Sequence, residues 1–259
     1  MSLPISAERP LARLWRDKVV VWWDVFVLRV LPLRQEWYWH VVGWLVFPLG
    51  ILFFMKIASG QDPQTTLYFL TGNAIMGLIF GAVQFVSQDL AWSRQNNLLD
   101  YYATLPVSRL QLILAIVAVA ALTSIPGALI NIWIGTKILG TTIVWHPVLI
   151  LVIGLAVLSM AGVGVMIGVY AKSGTHANLI NNLILILVMF LSPVFVPMER
   201  LPAALQISAR ILPTTYAADA LRATLAGNTK NAVPALIVLT IWAIVTLWLA
   251  VHRIEWRDD

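Results

Sequence analysis

The sequence predicts an all-α integral membrane protein: an N-terminal amphipathic interfacial helix, six transmembrane helices, and two short external re-entrant helices before the last span. Composition is the first reason. Of 259 residues, 60% are hydrophobic and 11% charged, whereas a soluble domain carries about 25% charged residues. With a mean hydropathy of +0.84, a soluble globule would lack the polar side chains to cover its surface. Grouping is the second reason, because several apolar runs reach the roughly 20 residues needed to cross about 30 Å of hydrocarbon. The third is the missing period-2 alternation of a membrane β-barrel, which leaves helices as the way to satisfy the backbone in lipid. The chain has no cysteine, which excludes a disulfide framework, an iron–sulfur cluster and a thiol nucleophile. Its net charge of +5 bears first on orientation and on contact with anionic lipid, before nucleic acid.

Residues 1–36 are expected to form a cytoplasmic tail and interfacial helix, and residues 37–259 the transmembrane domain. Within 11–31, Trp15, Val19, Trp22, Phe26 and Val30 recur at spacings of three and four, which gives a helix one apolar face. Arg13, Arg16, Asp17, Lys18, Asp24 and Arg29 interrupt the run. Each such charge costs about 2.5 to 3.5 kcal/mol at the centre of an inserted helix, so the segment lies on the membrane rather than across it. A soluble N-terminal helix is the alternative. Pro32 is expected to close this helix. A cleaved signal peptide is not expected, since no short apolar core follows the basic start and no A-x-A site is present.

Six spans follow, at about 38–55, 67–86, 110–134, 147–170, 179–196 and 232–251. An even number puts both ends on one side. Lys and Arg number eleven on the side of the N-terminus and six opposite, so the positive-inside bias makes both termini cytoplasmic. No Asp, Glu, Lys or Arg lies within these spans, which argues against proton relays, voltage sensors and ion-coupled sites. The polar residues inside are uncharged: Asn73, Gln84, Ser124, Asn131, Ser159, Asn181 and Asn182. They either bond helix to helix, or line a substrate path, for which Asn73, Gln84, Asn131, Asn181 and Asn182 are the candidates. Gly77 with Gly81 and Gly164 with Gly168 stand one turn apart, as in close helix contacts. Pro126, beside Gly127, is expected to kink or break the third span, as a static bend or a hinge.

Enzyme signatures are missing. There is no G-x-x-x-x-G-K-[ST] loop, no H-E-x-x-H pair and no G-x-S-x-G elbow, and the four histidines are scattered near span ends. No catalytic residue and no metal ligand is assigned, so any transport must draw its energy from another polypeptide.

Two connections carry denser information. The first, 87–109, is polar and helix-capable; Leu98, Leu99, Tyr102 and Leu105 can share one face, with Asp100 and the Asn96 and Asn97 amides near one end. That shape suits insertion into a partner's cleft; a solvated or membrane-surface loop is the alternative. Asn97-Leu98-Leu99-Asp100, then Leu105-Pro106-Val107-Ser108-Arg109 leading into an apolar span, resembles the coupling segment of type-2 ABC exporter permeases, the polysaccharide and drug export class. The second connection strengthens the likeness. Pro193, Pro197, Leu201-Pro202 and Leu212-Pro213-Thr214-Thr215-Tyr216, with Arg222 six residues after the tyrosine, are similar to the signature region of that family. Its prolines cut 199–227 into two short helices, one between Pro202 and Leu212, the other capped by Thr214 or Thr215 and ending before Gly227.

The resemblance extends over the whole chain and implies a permease for an ATP-driven exporter, in a bacterial inner membrane. It implies coupling to the ATPase through Asn97, Leu98, Leu99, Asp100, Tyr102 and Arg109. It also implies two ATP-binding cassette subunits, which hold the ATP and magnesium, and a second, identical permease subunit; this chain itself carries no cofactor and binds no nucleic acid. In such families the two external helices are half-buried above the translocation path. An uncharged lining with interfacial aromatics points to an amphiphilic cargo, drug or lipid-like. A polysaccharide or glycolipid exporter permease, or a membrane enzyme or assembly protein without an ATPase partner, is the alternative. The chain departs from the family where Asn97 replaces a frequent glycine, Asp100 a glutamate and Ile116 a lysine.

Overall fold

The computed structural model describes residues 10–59, 63–195 and 197–253. Among them there is no strand; ten α-helices, one π turn and one 3-10 turn make up the fold. Helix α1 runs over Pro10–Ser59 and α2 over Pro63–Leu78. A π turn at Ile79–Gln84 leads into α3, Phe85–Gln95. The short α4, Leu98–Thr104, follows, then α5, Arg109–Leu139, α6, Val148–Tyr170, and α7, Gly174–Leu191. A 3-10 turn at Met198–Arg200 precedes α8, Ala203–Ala209, α9, Pro213–Leu225, and α10, Thr229–Arg253.

Among the described residues, four helical stretches are long and apolar enough to cross a membrane: Thr65–Gln95, Arg109–Leu139, Val148–Tyr170 and Thr229–Arg253. They contain the second, third, fourth and last expected spans almost entirely. The fifth is shifted, because α7 starts at Gly174, capped by the Ser173 hydroxyl accepting from the His176 N–H, and ends at Leu191. Its apolar part is Gly174–Met189. Val196, the expected end, lies outside the described residues. The first expected span falls within α1, whose side chains at 43–47 and several neighbouring positions also lie outside them.

Pro32 does not close α1. The helix runs unbroken past it and past the boundary expected at residue 37. A proline removes a single i→i−4 bond, a loss that membrane-associated helices tolerate, and the Pro32 side chain is exposed. Pro126 likewise sits inside α5 without breaking it.

α6 forms the centre, buried along most of its length and packed on α3, α5, α9 and α10. Glycines let it approach. A Cβ at Gly164 would meet the Val83 carbonyl at 2.7 Å, and one at Gly168 would meet the Leu90 side chain at 2.8 Å. Both expected glycine pairs therefore lie at helix contacts, since Gly81 faces Ser124 and Gly77 faces Asn131 of α5. α1 lies along α5: the Gln111 amide donates to the Lys18 carbonyl near one end, and Leu52 meets Gly135 near the other.

Candidate functional site

At one end of the molecule the 87–109 connection is locked from both sides. Arg94 Nη1 donates to the Val169 carbonyl at 2.7 Å, placing a cation in the last turn of α6, where the helix dipole favours it. Gln95 Oε1 accepts from the Gly174 N–H at 3.2 Å, the start of α7. Asn97 then turns the chain with φ 56°, a left-handed conformation that asparagine adopts more readily than other non-glycine residues. This explains why asparagine serves where glycine is frequent. Ser108 and Gln111 form a capping box that starts α5 at the half-buried Arg109.

The apolar face of α4 turns inward. Leu99 and Tyr102 are each 8% exposed, and Leu98 and Leu105 pack on the same core. The Tyr102 ring lies 5.3 Å from the guanidinium of Arg29, which reaches across from α1. Arg29 Nη1 also donates to the Asp89 carboxylate and to Ser93 Oγ. The outward face of α4 carries Asp100, Tyr101, Ala103 and Thr104, with Tyr101 59% exposed. Periodicity placed the stripe on one face and left open what that face meets.

At the opposite end, the signature prolines each start or follow a helix. Pro197 precedes the 3-10 turn, Pro202 precedes α8, and Pro193 follows α7. The N-cap of α9 is Leu212, with Pro213 at its first position, rather than Thr214 or Thr215. Proline suits that place because its missing N–H would be unpaired there in any case. The threonine hydroxyls bond elsewhere: Thr214 to Ser192 at 3.2 Å, Thr215 to the Ala209 carbonyl at 2.6 Å. Tyr216 donates to the Arg210 carbonyl at 2.7 Å, closing the turn between α8 and α9. Gly227 follows α9 with φ +80°, as expected of a helix end.

Arg222 ties this end together. Its Nη2 donates to the carbonyls of Pro193 and Val194 at 2.6 and 2.7 Å, Nε to Thr71 Oγ1 at 3.2 Å, and Nη1 to Asp219 at 2.8 Å. The Tyr68 ring lies 4.0 Å from the guanidinium. Burial lowers the Arg222 pKa while Asp219 opposes the fall. Burial also raises the Asp219 carboxyl above the usual carboxylate range, with Arg222 pulling it back.

The uncharged span residues do not converge on one place. Asn73 donates to Asn131 at 2.6 Å between α2 and α5, and Asn181 donates to Ser87 at 2.7 Å between α7 and α3, all buried. Gln84 is half-buried in the π turn, and Asn182 is exposed on α7. Among the described residues, no three His, Asp or Glu side chains cluster to hold a metal ion.

A sequence profile of the ABC-2 type transporter family matches residues 5–226. The chain belongs to that family. It is therefore a multi-pass membrane permease component, of a kind that normally works with an ATP-binding cassette subunit. No curated protein matches it. The matched region covers the 87–109 connection and α9 with Arg222 and stops just before α10, so both ends described above lie inside the ABC-2 match. One residue of this ABC-2 permease escaped the sequence reading. Asn178 is exposed on the same face of α7 as Asn182, one turn earlier, but the expected span began at residue 179. The N-cap signal at Ser173 would have extended the helix to include it.

Proposed function

We propose that this chain is the permease subunit of an ATP-driven exporter that moves an amphiphile, drug or lipid-like, outward between two identical copies. In this reading two cassette subunits dock at the α4 end, both termini are cytoplasmic in a bacterial inner membrane, and α8 and α9 are external. The six crossings are the later part of α1, the α2–α3 stretch, α5, α6, α7 and α10. The course of α1 beside α5, from Lys18 to Leu52, supports the first of them.

The observation that carries the export path is the exposed face of α7. Thr175, Asn178 and Asn182 follow one another there at spacings of three and four, beside the exposed Leu179, Leu183 and Ile186. Lipid cannot satisfy an amide two turns into a membrane helix. The face must meet another protein surface or water, and its mixture of amides and aliphatics matches an amphiphile. The buried Asn73–Asn131 and Asn181–Ser87 pairs act as interhelical bonds behind that face.

The coupling role stays with 87–109, but docking falls to the outward face of α4, Asp100 and Tyr101, with Asn97 at its start. Leu99 and Tyr102 support α4 from beneath, with Leu98 beside them. The test is reconstitution with the cassette subunit, reading ATPase stimulation by a panel of amphiphilic drugs, phospholipids and lipid-linked sugars. Asn182→Leu is expected to lower the apparent affinity for the stimulating compound by about tenfold, the worth of one hydrogen bond to cargo, with basal ATPase unchanged. Tyr101→Ala is expected to weaken copurification of the cassette subunit without lowering membrane abundance. Wild-type behaviour of both variants would remove the path and the docking face together.

A further inference from the structure

Two neighbouring helices lose their regular bonding at one shared level, and none of the roles above uses this. In the α2–α3 stretch the six residues Ile79–Gln84 form the π turn, whose bonds reach one residue further than those of an α-helix. In α5, Pro126 has no N–H to give the Leu122 carbonyl, so one bond is missing across residues 122–126. Ser124 stands at the middle of that gap and Gly81 within the π turn, and the two meet: a Cβ at Gly81 would strike the Ser124 hydroxyl and come within 3.4 Å of the Ser124 Cα. α6 passes the same turn with Gly164, where a Cβ would lie 2.7 Å from the Val83 carbonyl. A glycine stands at each of these contacts, so Gly81 has no side chain to interlock with α5 and Gly164 none to interlock with the turn.

On either side of this level the helices are tied together. Towards the α4 end, Arg29 pairs with Asp89, Arg94 donates to the Val169 carbonyl, and Gln111 to the Lys18 carbonyl. Towards the α8–α9 end, Asn73 donates to Asn131, and Arg222 to Thr71 and to the Pro193 and Val194 carbonyls. Prolines and π turns are where helices bend, and a bundle tied at both ends with two such breaks in contact bends between the ties. Ser124 supplies a reason for a second conformation. It is 3% exposed and its hydroxyl makes no hydrogen bond among the described residues, whereas that of its neighbour Thr123 donates to the Val119 and Ala120 carbonyls. An unpaired buried hydroxyl is costly; a change of bend that brings a carbonyl of the π turn within its reach removes that cost. We propose that the π turn and Pro126 form one hinge, at which α2–α3 and α5 bend together between two conformations and shift the α4 end against the α8–α9 end. The hinge is a property of the chain itself and does not rest on the export reading.

Because the chain has no cysteine, pairs of spin labels can be placed at will and their separations read by pulsed electron resonance on the purified chain in lipid nanodiscs. Asn96 and Ile207, exposed at opposite ends, span the hinge; Asn96 with Lys172 and Ile207 with Asn228 are exposed pairs that each stay within one end. In the wild type the Asn96–Ile207 separation is expected to be broad or two-peaked, and both same-end pairs sharp. A bend of about 20° moves a point about 14 residues from the turn, or about 21 Å, by about 7 Å, which such a measurement resolves. Deleting Phe80 removes the π turn, and Pro126→Ala restores the missing bond. Each is expected to reduce the Asn96–Ile207 distribution to one sharp peak. Pro126 is exposed, so its replacement disturbs no packed side chain and keeps the test decisive should the deletion variant fold poorly. A sharp single peak in the wild type would overturn the hinge. A broad distribution that Pro126→Ala leaves unchanged would place the motion elsewhere, and same-end pairs as broad as the spanning pair would mean that the ends themselves are loose; either result also overturns the proposal.

Discussion

Arg222 holds α9 in place through bonds that no other side chain could reproduce. Its planar guanidinium reaches two carbonyls, a hydroxyl and a carboxylate at once, over an aromatic face. Arg222→Ala leaves the Pro193 and Val194 carbonyls without that donor in a buried place and is expected to cost roughly 3–5 kcal/mol. Thermal melting of the purified chain measures this, and Arg222→Lys should recover only part of the loss, since an ammonium cannot span the same set. The residue stood out in the sequence by its place after Pro213 and Tyr216. Its partners did not, because Thr71 and Arg222 are 151 positions apart and no local pattern links them. Tyr102 shows the opposite case: its helical spacing was legible, but an apolar stripe in a connector looks the same whether it meets a partner or the chain's own core. In the structure Tyr102 is buried beneath Arg29, on the chain's own core.

At the scale of elements, the hydropathy runs located the α2–α3 stretch, α5, α6 and α10 because a span must be apolar over its whole length. The π turn at Ile79–Gln84 left no such trace. A π turn is the way a helix absorbs one extra residue while the helix on each side keeps its facing. Here α2 presents Asn73 to α5, and α3 presents Leu90 to Gly168 of α6. Deleting Phe80 should therefore convert the turn to plain α-helix with both faces preserved. Adding an alanine beside it should rotate α3 by about 100° and separate Asp89 from Arg29. Membrane abundance and melting are the readouts: the deletion should stay near wild type and the insertion should not. Collapse of the deletion variant would mean that the widened turn itself is needed for folding. Pro32 misled at the same scale, for it sits within a continuous helix, since one missing donor weakens a ladder without ending it.

For the whole molecule, the two ends differ in kind. One gathers α4, the end of α6 and the start of α7; the other gathers α8 and α9. Labelling can assign them to sides of the membrane, and the absence of cysteine makes single-cysteine variants simple. Ser93 is unsuitable, being fully buried against Arg29. Asn96 and Lys172 are exposed at the first end, and Ile207 is 69% exposed at the second. With an impermeant reagent on intact cells, only the cysteine at 207 should react. Reaction at 96 from outside would invert the arrangement and remove the cassette docking face. The basic asymmetry that suggests this orientation was legible in the sequence, because lysines and arginines act on topology by number and side rather than by contact.

The attachment of α9 has a consequence for how the chain is made. Every group that Arg222 touches, Tyr68, Thr71, Pro193, Val194 and Asp219, precedes it in the sequence. Synthesis runs from the N-terminus, so every partner of the arginine has been made before the arginine itself emerges from the ribosome. The charge needs no partner from later in the chain. α10 arrives last and closes over α6 and α9, with Thr246 lying against Gly162.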